Sequence, residues 1–282
     1  MKLLLISSLL FISTFIFAQE DTIAFAPDRP GQTTGTSIAT KGYFHIETGY
    51  SYSKFAENYT SIDYTRNIDN NFGTLLRYGI FKNTEIRLNI GYNWTKKAIG
   101  KGNSSLSSIY KSLPLSPGIK ISIFEEKGII PSITFFGHLN LPDFYNGDSD
   151  FNNVTPLFGF AFSNTINDYF SIGYNIGASW YNIYAGTWYY ESKYTYIYST
   201  MTTQTFYSLA FCFTPLKNFA CFVEPYGTYN TYDKFSNLID FGISYSLRHN
   251  LAIDLYGKPS LFNNAITQDW YIAGGISYRL PK

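Results

Sequence analysis

The chain is short of what a soluble surface requires and of what a helical membrane span requires. Charged residues fill 15% of its 282 positions, against about 25% in an ordinary soluble domain. Past residue 18 no stretch approaches the roughly 18 uncharged apolar residues of a spanning helix. Cysteine is scarce: Cys212 and Cys221 are the 2 present, too few for a disulfide scaffold or a cysteine zinc site. Excess charge of one sign is missing as well. With 21 Lys+Arg against 20 Asp+Glu, there is no electrostatic footprint for nucleic acid or anionic lipid. What is abundant is aromatic side chain, 20% of the sequence, set among polar neighbours so that mean hydropathy is -0.10. Hydrophobic content of 45% with so little net charge excludes a disordered chain.

Residues 1–18 read as a secretory signal peptide. Met1 and Lys2 lead into an apolar run from Leu3 to Phe17, and the small Ala18 suits a cleavage pocket before Gln19. That run is shorter than the roughly 20 residues a membrane anchor needs. A mature chain in a membrane therefore has to cross it as strands.

A two-residue period supplies them. Glu85, Arg87, Asn89, Gly91 and Asn93 fall on one face of a run whose other face is Ile86, Leu88, Ile90, Tyr92 and Trp94. The preceding run alternates too, and Lys82–Thr84 join the two as a hairpin. Similar runs predict about twelve strands, near 43–53, 71–80, 85–94, 117–124, 129–140, 155–163, 169–180, 203–213, 219–229, 236–247, 251–259 and 270–280. Most have about the 9–11 residues a tilted strand needs to span a bilayer. Short connections alternate with long ones, among them 54–70, 95–116, 141–154 and 181–202. Pro225 falls inside a predicted strand, where its missing N–H implies a bulge or an early end.

A soluble sandwich also alternates, so period alone does not say which face is inside. Here the polar face is mainly Gly, Ser, Asn and Ala rather than Lys and Glu, which suits a crowded lumen. The apolar face carries Tyr52, Tyr92, Trp94, Trp180, Trp270 and Tyr278 towards strand ends, where amphipathic rings sit at headgroup level. The expected architecture is all-β: a transmembrane antiparallel barrel of about twelve strands over residues 42–282, with short periplasmic turns and long extracellular loops. It would lie in the outer membrane of a Gram-negative bacterium. The sheet must close on itself, because an unpaired backbone group in hydrocarbon costs several kcal/mol.

Between the signal and the first strand stand Asp28-Arg29-Pro30-Gly31-Gln32-Thr33 and then Lys41-Gly42-Tyr43-Phe44-His45-Ile46-Glu47-Thr48-Gly49-Tyr50. This opening resembles the Bacteroidetes-type outer-membrane transporters grouped with the meta-pathway phenol-degradation family, in which an Asp-Arg-Pro segment precedes a turn and a strand carrying Glu-x-Gly-aromatic. Thr40 departs from the pattern, which has Pro there. The resemblance implies a barrel that imports small, aromatic or hydrophobic solutes.

The sequence offers little catalytic chemistry. It has no Gly-rich phosphate loop and no His-Glu-x-x-His. His45, His138 and His249 are followed two residues on by Glu47, Asn140 and Leu251, not by the Ser of a membrane phospholipase. The expected protein is not an enzyme and needs no cofactor or metal. Its expected partners are outer-membrane lipid, a small-molecule solute and, during biogenesis, the barrel assembly machinery, and it is expected to act as a monomer. The first alternative is a surface barrel that transports nothing and serves adhesion or envelope structure, and the second is an outer-membrane enzyme.

Candidate functional residues lie on the polar face. Arg77, Arg87 and Glu85 share the inward side of one hairpin, Glu47 faces inward from the neighbouring first strand, and Lys120 and Asp240 add charge elsewhere on the wall. Such charges either select permeants or form ion pairs that fasten strands or hold the N-terminal segment. That segment, residues 19–41, is expected to enter the periplasmic mouth and partly plug the lumen through Asp28 and Arg29. The loop 181–202 carries Trp188, Tyr190, Tyr194 and Tyr196. These read either as an aromatic platform for a ring-shaped or sugar ligand, or as cross-strand packing in a ribbon continuing the flanking strands.

Overall fold

The structure is a computed structural model that describes residues 25–58, 64–101, 104–142, 154–186, 197–230, 234–258 and 267–280. The signal peptide and the loop aromatics Trp188, Tyr190, Tyr194 and Tyr196 lie outside the described residues. No helix among the described residues is long and apolar enough to cross a membrane.

The alternating runs form thirteen strands: β1 (Phe44–Asn58), β2 (Tyr64–Phe81), β3 (Thr84–Lys101), β4 (Ser104–Ser112), β5 (Leu115–Phe124), β6 (Ser132–Asn140), β7 (Thr155–Asn167), β8 (Phe170–Gly186), β9 (Ile197–Leu216), β10 (Phe219–Asn230), β11 (Lys234–Arg248), β12 (Leu251–Lys258) and β13 (Thr267–Arg279). Apart from β4 and β5, chain neighbours pair antiparallel, and β1 pairs with β13 from His45↔Arg279 to Glu57↔Thr267, which closes the barrel. β3 pairs with β5 through Thr84–Ile90 and with β4 through Asn93–Lys101. β4 and β5 therefore share one position, broken at Leu113-Pro114, and the wall has twelve staves.

The faces are inside out relative to a soluble protein. The largest fully buried side chains are polar or charged, including Arg77, Lys120, Glu47, Glu85, Glu224 and Asp240. Ile86, Ile176, Phe213, Ile243, Leu255 and Ile272, on the opposite face of the same sheet, are exposed, Ile176 at 59%. Apolar side chains so displayed have favourable surroundings only in hydrocarbon, and closure leaves no strand edge unpaired within it. Aromatic pairs Tyr52–Trp270, Tyr92–Trp94 and Phe158–Trp180, with centroids 5.3–5.5 Å apart, lie on this outer face. The architecture is that of a transmembrane outer-membrane barrel.

Strand existence follows the sequence period closely, whereas strand length does not. β2, β3, β8 and β9 run 17 to 20 residues, far beyond the roughly 9–11 that cross a bilayer. Much of 54–70 and 95–116, expected as loop, is ribbon standing above the membrane on the long-loop side. Such a ribbon is wetted on both faces, so its sequence has no reason to alternate. The 181–202 segment likewise has its flanking strands continuing, paired out to Gly186↔Ile197. β6 begins at Ser132 rather than 129, after a turn in which Lys127 bridges Ile130 and Gly128 takes φ +60°. β10 runs straight through Pro225. Its pairing with β9 lapses at Glu224 and Pro225, while its pairing with β11 is unbroken. Cys212 and Cys221 are unbonded.

Candidate functional site

The short-turn end of an outer-membrane barrel is periplasmic, and residues 25–41 enter from that side. Lys41 bridges Gly79 of β2 and the Gly42 N–H donates to the Gly79 carbonyl at 2.8 Å, which ties the segment to the wall just before β1 begins. Gly79 is required there because a Cβ would run into the Ala39 and Thr40 carbonyls. From that tether the segment crosses the bore and bonds to wall strands on every side.

One anchor is ionic. Arg77 on β2 grips Glu85 of β3 with Nε and Nη2, both at 2.9 Å, and reaches Glu47 of β1 with Nη1 at 2.8 Å. All three are buried, and the planar guanidinium fork suits such a site. Asp28 docks among them. Its carboxylate accepts from Arg87 Nη2 at 2.6 Å and Lys120 Nζ at 2.8 Å, with Arg77 Nη1 at 3.9 Å. Burial works against ionisation of Asp28, but the Arg77, Lys120 and Arg87 cations outweigh it and hold the carboxyl well below the usual carboxylate range. Backbone groups complete the anchor. Asp28 and Arg29 N–H donate to Glu47 Oε2 at 2.9 and 3.0 Å, Ser37 C=O accepts from Arg77 and Lys120, and Ala39 N–H donates to Glu85 Oε2.

Arg29 turns the other way. Its guanidinium lies over Gly49 and Gly275, which face each other across the β1–β13 seam, and a Cβ on either glycine would meet it at 2.5–2.6 Å. It continues to Asp254 of β12, at 3.0 and 3.1 Å. Burial weighs against the charge of Arg29, and the Asp254 hydrogen bond more than restores it, leaving its pKa raised. The two halves of the Asp-Arg-Pro and Glu-x-Gly pattern are therefore in contact: Glu47 takes the segment's N–H groups, and Gly49 clears the slot for its arginine.

The second anchor is neutral on the segment side. Glu224 of β10 accepts from Gln32 N–H at 2.7 Å, from Thr33 N–H at 2.5 Å and from the Thr33 hydroxyl. Gly31 brings the chain over it with φ +96°, where a Cβ would meet Glu224 Oε2 at 2.6 Å. Asp240 sits opposite Glu224 on β11 and accepts from Tyr271 Oη at 2.5 Å. Beyond this the segment bonds Asn175 of β8 through both the N–H and C=O of Thr34, and Ser163 of β7 and Thr134 of β6 through Thr36.

The sequence-predicted charges are thus all inward and buried. Glu47, Arg77, Glu85, Arg87 and Lys120 form one cluster with Asp28. Lys120 does not stand elsewhere on the wall as expected: register places it opposite Glu85. Asp240 is separate from that cluster. Glu224 and Asp254 were missed, although both lie on the polar face of alternating runs. Pro225 obscured the first, and the second is a lone acid in the short β12.

On the long-loop side of the segment the bore opens into a chamber of about 690 Å3, lined by Arg87, Asn71, Asn89, Asn140, Phe136 and Phe206 among others.

No family model and no curated protein matches the chain. Among solved structures it is similar to the COG4313 outer membrane channel from Pseudomonas putida F1, at 11% identity and TM-score 0.58, covering 89% of this chain and 100% of that one. It is also similar to the translocator domain of the autotransporter NalP from Neisseria meningitidis, at 9% identity and TM-score 0.50, covering 87% of this chain and 91% of that one. At these identities the likeness is one of fold, and the class it defines is the closed outer-membrane barrel.

Proposed function

We propose that this protein is an outer-membrane channel for small solutes whose bore is narrowed by its own N-terminal segment, delivered to that membrane by the signal peptide of residues 1–18. The observation that carries the reading is the path of residues 25–41, which bond to strands all round the lumen at one level while a chamber remains open beyond them. A barrel of twelve staves lies between the eight filled by side chains and the sixteen that leave a wide aqueous pore, so one ordered segment suffices to set its limiting width. The likeness to a structure titled an outer membrane channel supports the same reading, as does the Asp28–Tyr50 resemblance to transporters of the meta-pathway phenol-degradation family. Passage through such a barrel is passive, without cofactor or catalytic step.

In this reading Asp28 and Arg29 are the plug's charged pins, and Glu47, Arg77, Glu85, Arg87 and Lys120 are the wall that receives Asp28. Because the segment occupies the bore, unhindered diffusion is not its resting behaviour. The same plug, if it never moves, favours the second reading, a surface barrel that transports nothing. Single-channel recording separates them. A chain lacking residues 19–39 should conduct several-fold more than the full chain, and equal conductance would remove the plug from the account. Solute flux into liposomes by the full chain supports transport, and its complete absence favours the surface barrel.

A further inference from the structure

The chamber beyond the segment has a chemistry of its own. The charges that line it, Asp28, Arg29, Glu47 and Arg87, are each already within an ion pair, while Glu224, capped by the Gln32 and Thr33 N–H groups, and Asp240 stand outside the lining. An ion entering sheds hydration and meets no uncompensated opposite charge in that lining. The wall offers amides instead. Asn71 lines the chamber exposed, Asn89 hydrogen-bonds His138, and Asn140 accepts from Ser116. An amide both donates and accepts, which matches hydroxyl groups. Arg87, 6% exposed, lines the same space, and its Nη1 has no hydrogen-bond partner among the described residues, which leaves a donor at the floor for an acceptor oxygen. Phe136 and Phe206, with centroids 6.3 Å apart, line the same chamber. The Phe206 ring is seated against Gly159 and Gly177, and it gives the chamber an apolar side on which the carbon face of a ring can rest. The volume falls within the roughly 300–1,000 Å3 of small-molecule sites.

We infer that this chamber binds an uncharged, hydroxyl-bearing ring solute, of the size of a mono- or disaccharide, and discriminates against charged analogues of the same ring. The inference deepens the channel reading and rests on it for passage, but not for binding. The test uses three hexoses that differ in charge: glucose, glucuronate and glucosamine at pH 6, with full-length protein in liposomes. Glucose should enter about tenfold faster than either charged analogue, a difference of about 1.4 kcal/mol. Glucuronate or glucosamine entering as fast as glucose would overturn the inference. Asn71→Asp, a substitution at an exposed lumen position, should raise glucosamine entry several-fold relative to glucuronate, and an unchanged ratio counts against the chamber as the selecting site. Saturation-transfer NMR on the detergent-solubilised full chain reads binding without passage. Glucose contacts that fall in Phe206→Ala support the chamber even if no flux is seen, in which case only the channel reading fails. Ion conductance without any glucose contact leaves the channel and removes the chamber's assigned solute.

Discussion

The segment's two anchors hold it by opposite chemistry. At Asp28 the segment brings the charge and the wall answers with Arg77, Arg87 and Lys120. At Thr33 the wall brings the charge, Glu224, and the segment answers with N–H groups and a hydroxyl. Both are buried, yet they do not depend on the segment equally. The first is half of a network that also ties β1, β2, β3 and β5 together, so the barrel wall and the plug share it. The second joins the segment itself to β10, β9 and β13, through Glu224, Ser208 and Tyr271. Breaking the first should damage barrel and plug together, while breaking the second should loosen the plug alone.

The largest effect is expected from Arg77→Ala. It strands Glu47 and Glu85 in a buried site and removes donors to the Ala26 and Ser37 carbonyls, and removal of one partner from a buried network costs about 3–5 kcal/mol. Urea unfolding in lipid vesicles should show that loss, and a loss below 1 kcal/mol would mean the cluster is more hydrated than its geometry indicates. Asp28→Asn comes next. It keeps the shape but leaves Arg87 and Lys120 short of a counter-charge, with about 2–3 kcal/mol lost from hydrogen bonds to charged groups and a several-fold rise in open-channel events. Glu224→Gln should cost only about 1 kcal/mol, since the amide oxygen still accepts from one N–H. Its mark should be channel opening with barrel stability almost unchanged. If it destabilised the barrel as much as Arg77→Ala, the contrast between the anchors would be lost.

The smallest expected effect is a null. Because the Asp28 carboxyl is held below its ordinary value of about 3.9, its contribution is complete above that value and disappears only as pH falls through the lower folded-state pKa. Asp28 should therefore keep its charge between pH 7 and 4.5, with its side-chain carboxyl carbon resonance flat across that range in both the full chain and Glu224→Gln. A shift of that resonance within the range would show that Asp28 titrates earlier than its cation shell implies.

Much of this was legible in the residues. Period two located the twelve staves and sorted Arg77, Arg87, Glu85, Glu47, Lys120 and Asp240 onto the inner face without any coordinates. It did not reveal that 64–70, 95–101 and 104–112 extend as ribbon, because strands wetted on both sides carry no alternation. Nor did it place Lys120 beside Asp28, since that meeting depends on which rung of β5 lies opposite Glu85.

The sequence by itself determined the strands, their two faces and the closure that hydrocarbon demands, since each is a local consequence of side-chain alternation and backbone hydrogen bonding. Only the tertiary structure decided the route of residues 25–41, which have no period to read. It brought Arg29 to Asp254 over paired glycines and Thr33 to Glu224, because contacts across a lumen are set by barrel curvature and strand register together.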